Sequence, residues 1–244
     1  MSDVKRRRYD AGGRQAQAER TRQALIELAR DALLTRGYAA TTVTEVARAC
    51  GVSVESVYKR FGGKPGLVRA VVDTALLGEG ALPAETRSDA LAVSDPAQLL
   101  AGWARLTAEV APRVAPILLL LRQAGDQDAD LTALALELDD NRRQRMGTNA
   151  RRLADTGALR PGVSAEQAAD VLWTYSSPEL YDLLVLRSAW PLERYAGFIS
   201  EALQAHLLPV PSTATPSTKP PPATRPTPGP TDVTPHTWPL PKNG

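Results

Sequence analysis

Thr42-Val43-Thr44-Glu45-Val46-Ala47-Arg48-Ala49-Cys50-Gly51-Val52-Ser53-Val54-Glu55-Ser56-Val57-Tyr58-Lys59-Arg60-Phe61, residues 42–61, is the stretch on which the reading of the whole chain turns. Thr42 and Glu45 have the Thr-x-x-Glu spacing with which a side chain at each end of a helix's first turn satisfies the other's backbone N–H. They predict a short helix with Val46, Ala47 and Cys50 on its inner face. Gly51 ends it, because a residue just past a helix often needs the left-handed backbone that glycine adopts without penalty. Ser53 is placed to cap a second short helix, Val54–Phe61, and Gly62-Gly63 breaks the chain again. Two short helices about a Gly-Val-Ser turn form a helix-turn-helix, a layout that lets the second helix project into the major groove of DNA. Ala47 is small where the helices approach, Val52 and Val57 fill the wedge, and Ser53, Glu55, Ser56, Tyr58, Lys59 and Arg60 are left facing outward.

The flanks fit. Over Arg20–Arg36, Leu25, Leu28, Ala29, Ala32 and Leu33 recur at the spacing of one helical stripe, closed by Gly37. Lys64-Pro65 opens a further helix that turns Leu67, Val68, Val71 and Val72 inward. Charge is divided between the two parts of the chain. Residues 1–73 carry fourteen basic and eight acidic side chains, whereas the whole chain is nearly balanced at +2. A basic head on an acidic body suits a polyanionic partner.

Residues 18–78 resemble the DNA-binding domain of the tetracycline-repressor (TetR) family of bacterial transcriptional regulators. The resemblance rests on Thr42-Val43-x-x-Val46-Ala47, Ala49-x-Gly51-Val52-Ser53 and Val57-Tyr58-x-x-Phe61-Gly62-x-Lys64-x-x-Leu67, and covers about residues 18–78. It implies an all-α fold, with an N-terminal three-helix helix-turn-helix domain and a C-terminal helical domain for ligand binding and dimerisation. It further implies a homodimer on a palindromic operator in double-stranded DNA, a repressor released by a small-molecule effector. Carried over by position, DNA contacts fall on Thr42, Thr44, Ser53, Val54, Glu55, Ser56, Tyr58 and Lys59, with Lys64 on a phosphate. Glu55 departs from the family's usual small residue. It is suited either to accepting from a cytosine amino group or to stabilising the helix N-terminus.

Four segments are expected: a basic flexible arm (1–17), the DNA-binding domain (18–78), an effector-binding and dimerisation domain (95–208) and a Pro/Thr-rich disordered tail (209–244). Residues 78–94 read as an irregular link. In the arm and the start of the first helix, Arg6, Arg7, Arg8, Arg20 and Arg22 are placed to meet the DNA backbone, with a solubilising role as the competing reading. Twelve of the chain's twenty prolines lie in the tail, a composition that cannot bury a core. Within the body, helices are expected at about 96–111, 114–124, 128–156, 165–175, 178–188 and 191–207. Arg142, Arg143, Arg145, Arg151 and Arg152, mixed with acids, read as a solvated face held by weak ion pairs.

Trp103, Arg122, Met146, Trp173 and Tyr175 are candidate walls of an effector pocket, against ordinary core packing as the plainer reading. The apolar faces carrying Leu180, Leu183, Leu184, Phe198, Ile199 and Leu203 are candidates for the dimer interface. Several classes are excluded or disfavoured. One cysteine, Cys50, forms no internal disulfide, and two histidines, His206 and His236, make no Cys/His zinc site. No cofactor or metal is expected. Catalytic signatures such as Gly-x-Ser-x-Gly or a Walker loop are missing, so an enzyme is not expected. Without a long apolar run or a secretory N-terminus, the chain is expected in the cytoplasm and away from membranes. One alternative stays open: an effector-free helical architectural or adaptor protein that binds DNA without sequence preference.

Overall fold

The computed structural model describes residues 3–77, 82–92, 95–125 and 128–210. Among them there is no strand. The head consists of α1 (Asp3–Ala40), α2 (Val43–Cys50), α3 (Val54–Phe61) and α4 (Lys64–Leu76). The body consists of α5 (Ala84–Asp89), α6 (Pro96–Gly125), α7 (Ala129–Asp155), α8 (Ala165–Tyr175), α9 (Pro178–Tyr181), a π-helical turn over Asp182–Arg187, and α10 (Leu192–Leu207).

α1 begins at Asp3, so most of the stretch expected as a flexible arm is helix. Ala11, Gln15, Ala16, Gln17 and Ala18 are good helix formers and carry the helix N-terminal to its apolar stripe. Gly37 interrupts α1 with φ 81° and ψ 172°, a backbone open to glycine and strained for other residues. Within 78–94, the stretch read as the least regular link, the short α5 forms; residues 78–81 and 93–94 lie outside the described residues, as does the tail beyond Val210. The two helices expected around Pro112 are the single helix α6, which contains both Pro112 and Pro116. A proline inside a helix costs about 3 kcal/mol or more. Here packing on both sides outweighs that cost. Ile117 and Leu121 are embedded in one core, and Ala108, Ala111 and Ala115 in the other.

The arrangement of those cores departs from a head and body joined only by a linker. Leu25, Ile26, Leu33, Val46, Ala47, Val57, Leu67 and Val71 of the head share one core with Val114, Ile117, Leu121, Leu131 and Leu134 from α6 and α7. The head therefore rests, through α1 and α4, on the C-terminal half of α6. A second core gathers Leu99, Trp103, Leu153, Leu172, Tyr181, Tyr195, Ile199 and Leu203.

Of the α7 arginines, Arg143 and Arg151 are exposed, Arg143 in an ion pair with Asp170, whereas Arg142, Arg145 and Arg152 are not part of a solvated face. Arg152 donates to the carbonyls of Ser88 (2.8 Å), Asp89 (3.1 Å) and Leu91 (3.1 Å). Arg145 donates to Asp89 (2.6 Å), Ser88 Oγ (3.0 Å) and Asn149 (2.9 Å). These bonds clasp α5 onto α7. The Arg145 hydrogen bond is also the main reason that the Asp89 carboxyl sits below the ordinary carboxylate range. Arg142 donates to Asp139 (2.7 Å), to Ser176 Oγ (3.0 Å) and to the Trp173 carbonyl, fastening α8.

Candidate nucleic-acid interface and internal cavity

Local hydrogen bonds build the helix-turn-helix. Glu45 N–H donates to Thr42 Oγ1 (3.2 Å), and Thr42 N–H donates to the Glu45 carboxylate (3.3 Å), forming a reciprocal cap. The hydrogen bonds from the Thr42 side chain and backbone, followed by the charges of Arg36 and Arg48, hold the Glu45 carboxyl below its usual range. Arg36 pairs with Glu45 at 3.3 Å, so the end of α1 is tied to the start of α2. Gly51 turns the chain with φ 73° and ψ 28°, and Val52 N–H donates to the Ala47 carbonyl at 3.0 Å. Ser53 Oγ accepts from Ser56 N–H at 3.2 Å and caps α3. Ala47 and Val57 are fully buried where α2 and α3 meet.

Thr42, Thr44, Ser53, Glu55, Ser56, Tyr58 and Lys59 are all exposed on this head, with Tyr58 at 55%. The expected contact residues thus lie on α3, its cap and the start of α2. Val54 is an exception: it is half-buried and packs against the head's core. Lys64 differs from the expectation of a free phosphate contact. Its ammonium donates to the Tyr38 carbonyl and sits 3.7 Å from the centre of the Tyr38 ring. Burial pushes its pKa below the usual lysine value. Lys64 is thereby committed to joining α4 to the end of α1. Arg20 donates to Gln17 (2.7 Å) and Arg22 to Glu19 (3.4 Å), while the side chains of Arg6, Arg7 and Arg8 lie outside the described residues. Sequence reasoning passed over Arg48, which is exposed one turn beyond Thr44 on the same face of α2. The four-residue spacing was the signal that could have found it. Arg60, read as outward-facing, donates to the Ala18 carbonyl at 2.6 Å and braces α3 on α1.

Behind the head lies a partly open cavity of about 550 Å³. Its apolar wall includes Leu76 of α4, Trp103, Val110 and Ala111 of α6, Met146 of α7 and Leu172 of α8. Polar groups come from Asp73, Glu85, Ser88, Arg142, Arg145, Asn149 and Tyr175. Trp103 is 4% exposed, and its indole N–H has no partner in the protein. Of the expected wall residues, Trp103, Met146 and Tyr175 border this cavity. Arg122 and Trp173 do not; they border a separate hollow beyond Arg142. Arg122 instead forms ion pairs with Asp139 (3.0 Å) on α7 and with Glu179 on α9. Because Val72, Asp73 and Leu76 lie on α4, a helix of the head supplies part of the cavity wall.

The expected dimer face is split. Ile199 and Leu203 are 1% and 3% exposed, packed in the body's own core and bordering the cavity, which corrects their assignment to an intermolecular surface. Both sides of α10 are apolar, and packing within the chain takes this one. Leu183 is 52% exposed and Phe198 36%; Leu180 and Leu184 are partly buried, and Leu186 and Leu192 are exposed beside them. The π-helical turn shapes this face: Ser188 Oγ donates to the Leu183 carbonyl at 2.7 Å, and Arg187 pairs with Asp182 at 2.7 Å. No helix among the described residues is long and apolar enough to cross a membrane.

Residues 25–71 match the family model for bacterial regulatory proteins of the tetR family. A stretch of 48 residues is 42% identical to the HTH-type transcriptional regulator AlkX of Mycobacterium tuberculosis, covering 20% of this chain and 23% of that protein. The chain therefore spans about a quarter of that relative's length. The fold is similar to that of NalD of Pseudomonas aeruginosa, the secondary repressor of the MexAB-OprM multidrug efflux pump. That match has a TM-score of 0.62 and 22% identity, covering 78% of this chain and 98% of NalD. It is similar as well to SmeT in its complex with triclosan, with a TM-score of 0.61 and 21% identity over 84% of this chain and 99% of SmeT.

Proposed function

We propose, from the match of residues 25–71 to the tetR family of bacterial regulatory proteins, that the chain is a sequence-specific DNA-binding transcriptional regulator. It acts as a cytoplasmic homodimer on a palindromic operator, and a small molecule in the body's cavity changes its hold on DNA, with repression relieved by the ligand as the working mode. α3 enters the major groove. Lys59 and the Ser53–Ser56 end supply donors and acceptors for base edges, Tyr58 supplies a hydroxyl for a phosphate, and Thr42, Thr44 and Arg48 flank them from α2. Leu183, Leu186 and Phe198 form the dimer face, because a symmetric operator calls for a symmetric protein. Nothing in this reading asks for a catalytic step.

The observation that carries the proposal is the placement of α4, which is packed in the head's core on one side and borders the cavity on the other. A ligand that fits the cavity in one position of α4 better than in another shifts the population of DNA-binding heads. The experiment is a linkage measurement. A compound that binds the full-length dimer, and whose binding is lost in Ala111→Trp, should lower operator affinity by some factor. Operator DNA should then lower the compound's affinity by the same factor. A compound lost in Ala111→Trp that leaves operator affinity unchanged would separate the cavity from DNA binding.

A further inference from the structure

The charges around the cavity favour one class of ligand. Arg142 and Arg145 face it, yet each is already neutralised by a carboxylate that does not border it: Asp139 at 2.7 Å and Asp89 at 2.6 Å. Asp73 of α4 and Glu85 of α5 also border the cavity, and among the described residues neither forms a salt bridge or side-chain hydrogen bond. The arginines whose charges act on Asp73 are occupied, as is Arg87, two residues beyond Glu85. Arg69 pairs with Glu137, Arg22 with Glu19 and Arg87 with Glu109. Two carboxylates without a direct ion-pair partner therefore border a largely apolar cavity, with Arg69 and Arg22 acting on Asp73 only at a distance.

We propose that the ligand is an organic cation with an apolar body, its positive centre between Asp73 and Glu85 and its body against Trp103, Val110 and Ala111. This deepens the reading of the cavity as the effector site and rests on it. Burial is the largest influence raising the Asp73 carboxyl above its usual range. Glu85 and Glu137 push the same way, while Arg69 and Arg22 oppose them. A bound cation offsets both the burial and the repulsion between neighbouring acids. The indole ring of Trp103 offers an aromatic surface to the ligand, and its buried N–H, which lacks a protein partner, can donate to an acceptor on the ligand. Because Asp73 is on α4, the charge that the ligand neutralises is on the helix shared with the head.

The test uses tetraphenylphosphonium and tetraphenylborate, probes of nearly the same size and shape but opposite charge. Each is titrated by calorimetry into the full-length protein, its Asp73→Asn/Glu85→Gln variant and Ala111→Trp. The wild type should prefer the phosphonium by at least about tenfold, and the double variant should lose about tenfold or more of that affinity with the borate unchanged or tighter. Ala111→Trp should lose both probes. The preference within the wild type needs no variant, so it decides even if the double variant does not fold. Equal binding of the two probes, or a preference for the borate, would overturn the cation assignment; if Ala111→Trp still abolishes that binding, the cavity survives as a ligand site. Phosphonium affinity unchanged in a folded double variant would do the same. Binding that persists in Ala111→Trp, or no binding of either probe, would remove the effector-site reading and the cation proposal together.

Discussion

Lys59 and Lys64 look like equivalent basic contacts in the sequence, but the structure gives them different work, and Lys64→Ala measures the difference. The Lys64 ammonium donates to the Tyr38 carbonyl and lies over the Tyr38 ring at 3.7 Å. A hydrogen bond from a charged donor contributes about 1.5–3 kcal/mol, and a cation–π contact at a fairly exposed site about 0.5–1 kcal/mol. Lys64 is only half-buried, so water competes for both contacts, and a net loss of about 1–2 kcal/mol is expected. Urea unfolding followed by far-ultraviolet circular dichroism should show a lower midpoint for Lys64→Ala at an unchanged slope. Hydrogen exchange should locate the loss at α4 and the end of α1. Lys59→Ala should leave the midpoint within about 0.3 kcal/mol of wild type, since Lys59 is exposed, and should instead weaken operator binding by roughly 1–3 kcal/mol. The reasoning about Lys64 fails if Lys64→Ala keeps full stability and lowers the salt slope of DNA binding by about one unit, the mark of a lost phosphate contact.

Three further outcomes follow from other contacts. Leu183→Glu puts a charge on the exposed apolar face and should give a monomer by sedimentation and lose operator binding; a dimer that still binds the operator would put the interface elsewhere. Arg152→Ala removes three bonds to the carbonyls of Ser88, Asp89 and Leu91 and should cost about 2–3 kcal/mol, measured by thermal unfolding, with faster hydrogen exchange in α5. Glu45 has a lowered folded-state pKa, so its ionised form stabilises the head above the unfolded-state value, and that contribution disappears as pH falls through the lowered folded value. Glu45→Gln should therefore flatten the acid limb of the stability profile below about pH 4.5; an acid limb identical to wild type would contradict the cap's electrostatic role.

The helix-turn-helix was legible because its determinants are local. Thr42 and Glu45 cap each other across three residues, Gly51 answers one dihedral angle, and Ser53 caps Ser56. The body's long helices were legible from their apolar spacing, except where a local rule met tertiary packing. Pro112 read as a break, yet α6 runs through it because its two ends are held in different cores. Arg145 and Arg152 of α7 look solvated in the sequence because their partners, Ser88 to Leu91, are more than fifty residues away. Ile199 and Leu203 read as an outer surface because apolar periodicity does not say which neighbour covers a face. Arg122 and Trp173 failed to meet the cavity for a related reason: α7 places Arg142 between them and it. Lys64 shows the same limit in the head, where a basic residue at a helix start looks the same whether its partner is a phosphate or the Tyr38 carbonyl.

Sequence-specific recognition by the proposed dimer is tested most directly by the DNA it selects. Full-length protein should be used to select duplexes from a random pool, and the enriched site mapped by hydroxyl-radical footprinting. The expected result is a palindrome protected in two patches on one face of the duplex, about one helical turn or a small multiple apart. Leu183→Glu should lose both patches, and Lys59→Ala should relax preference at one base pair in each half. A pool that yields no enriched palindrome, with protection spread evenly along the duplex, would contradict sequence-specific regulation and leave a protein that binds DNA only through its charge.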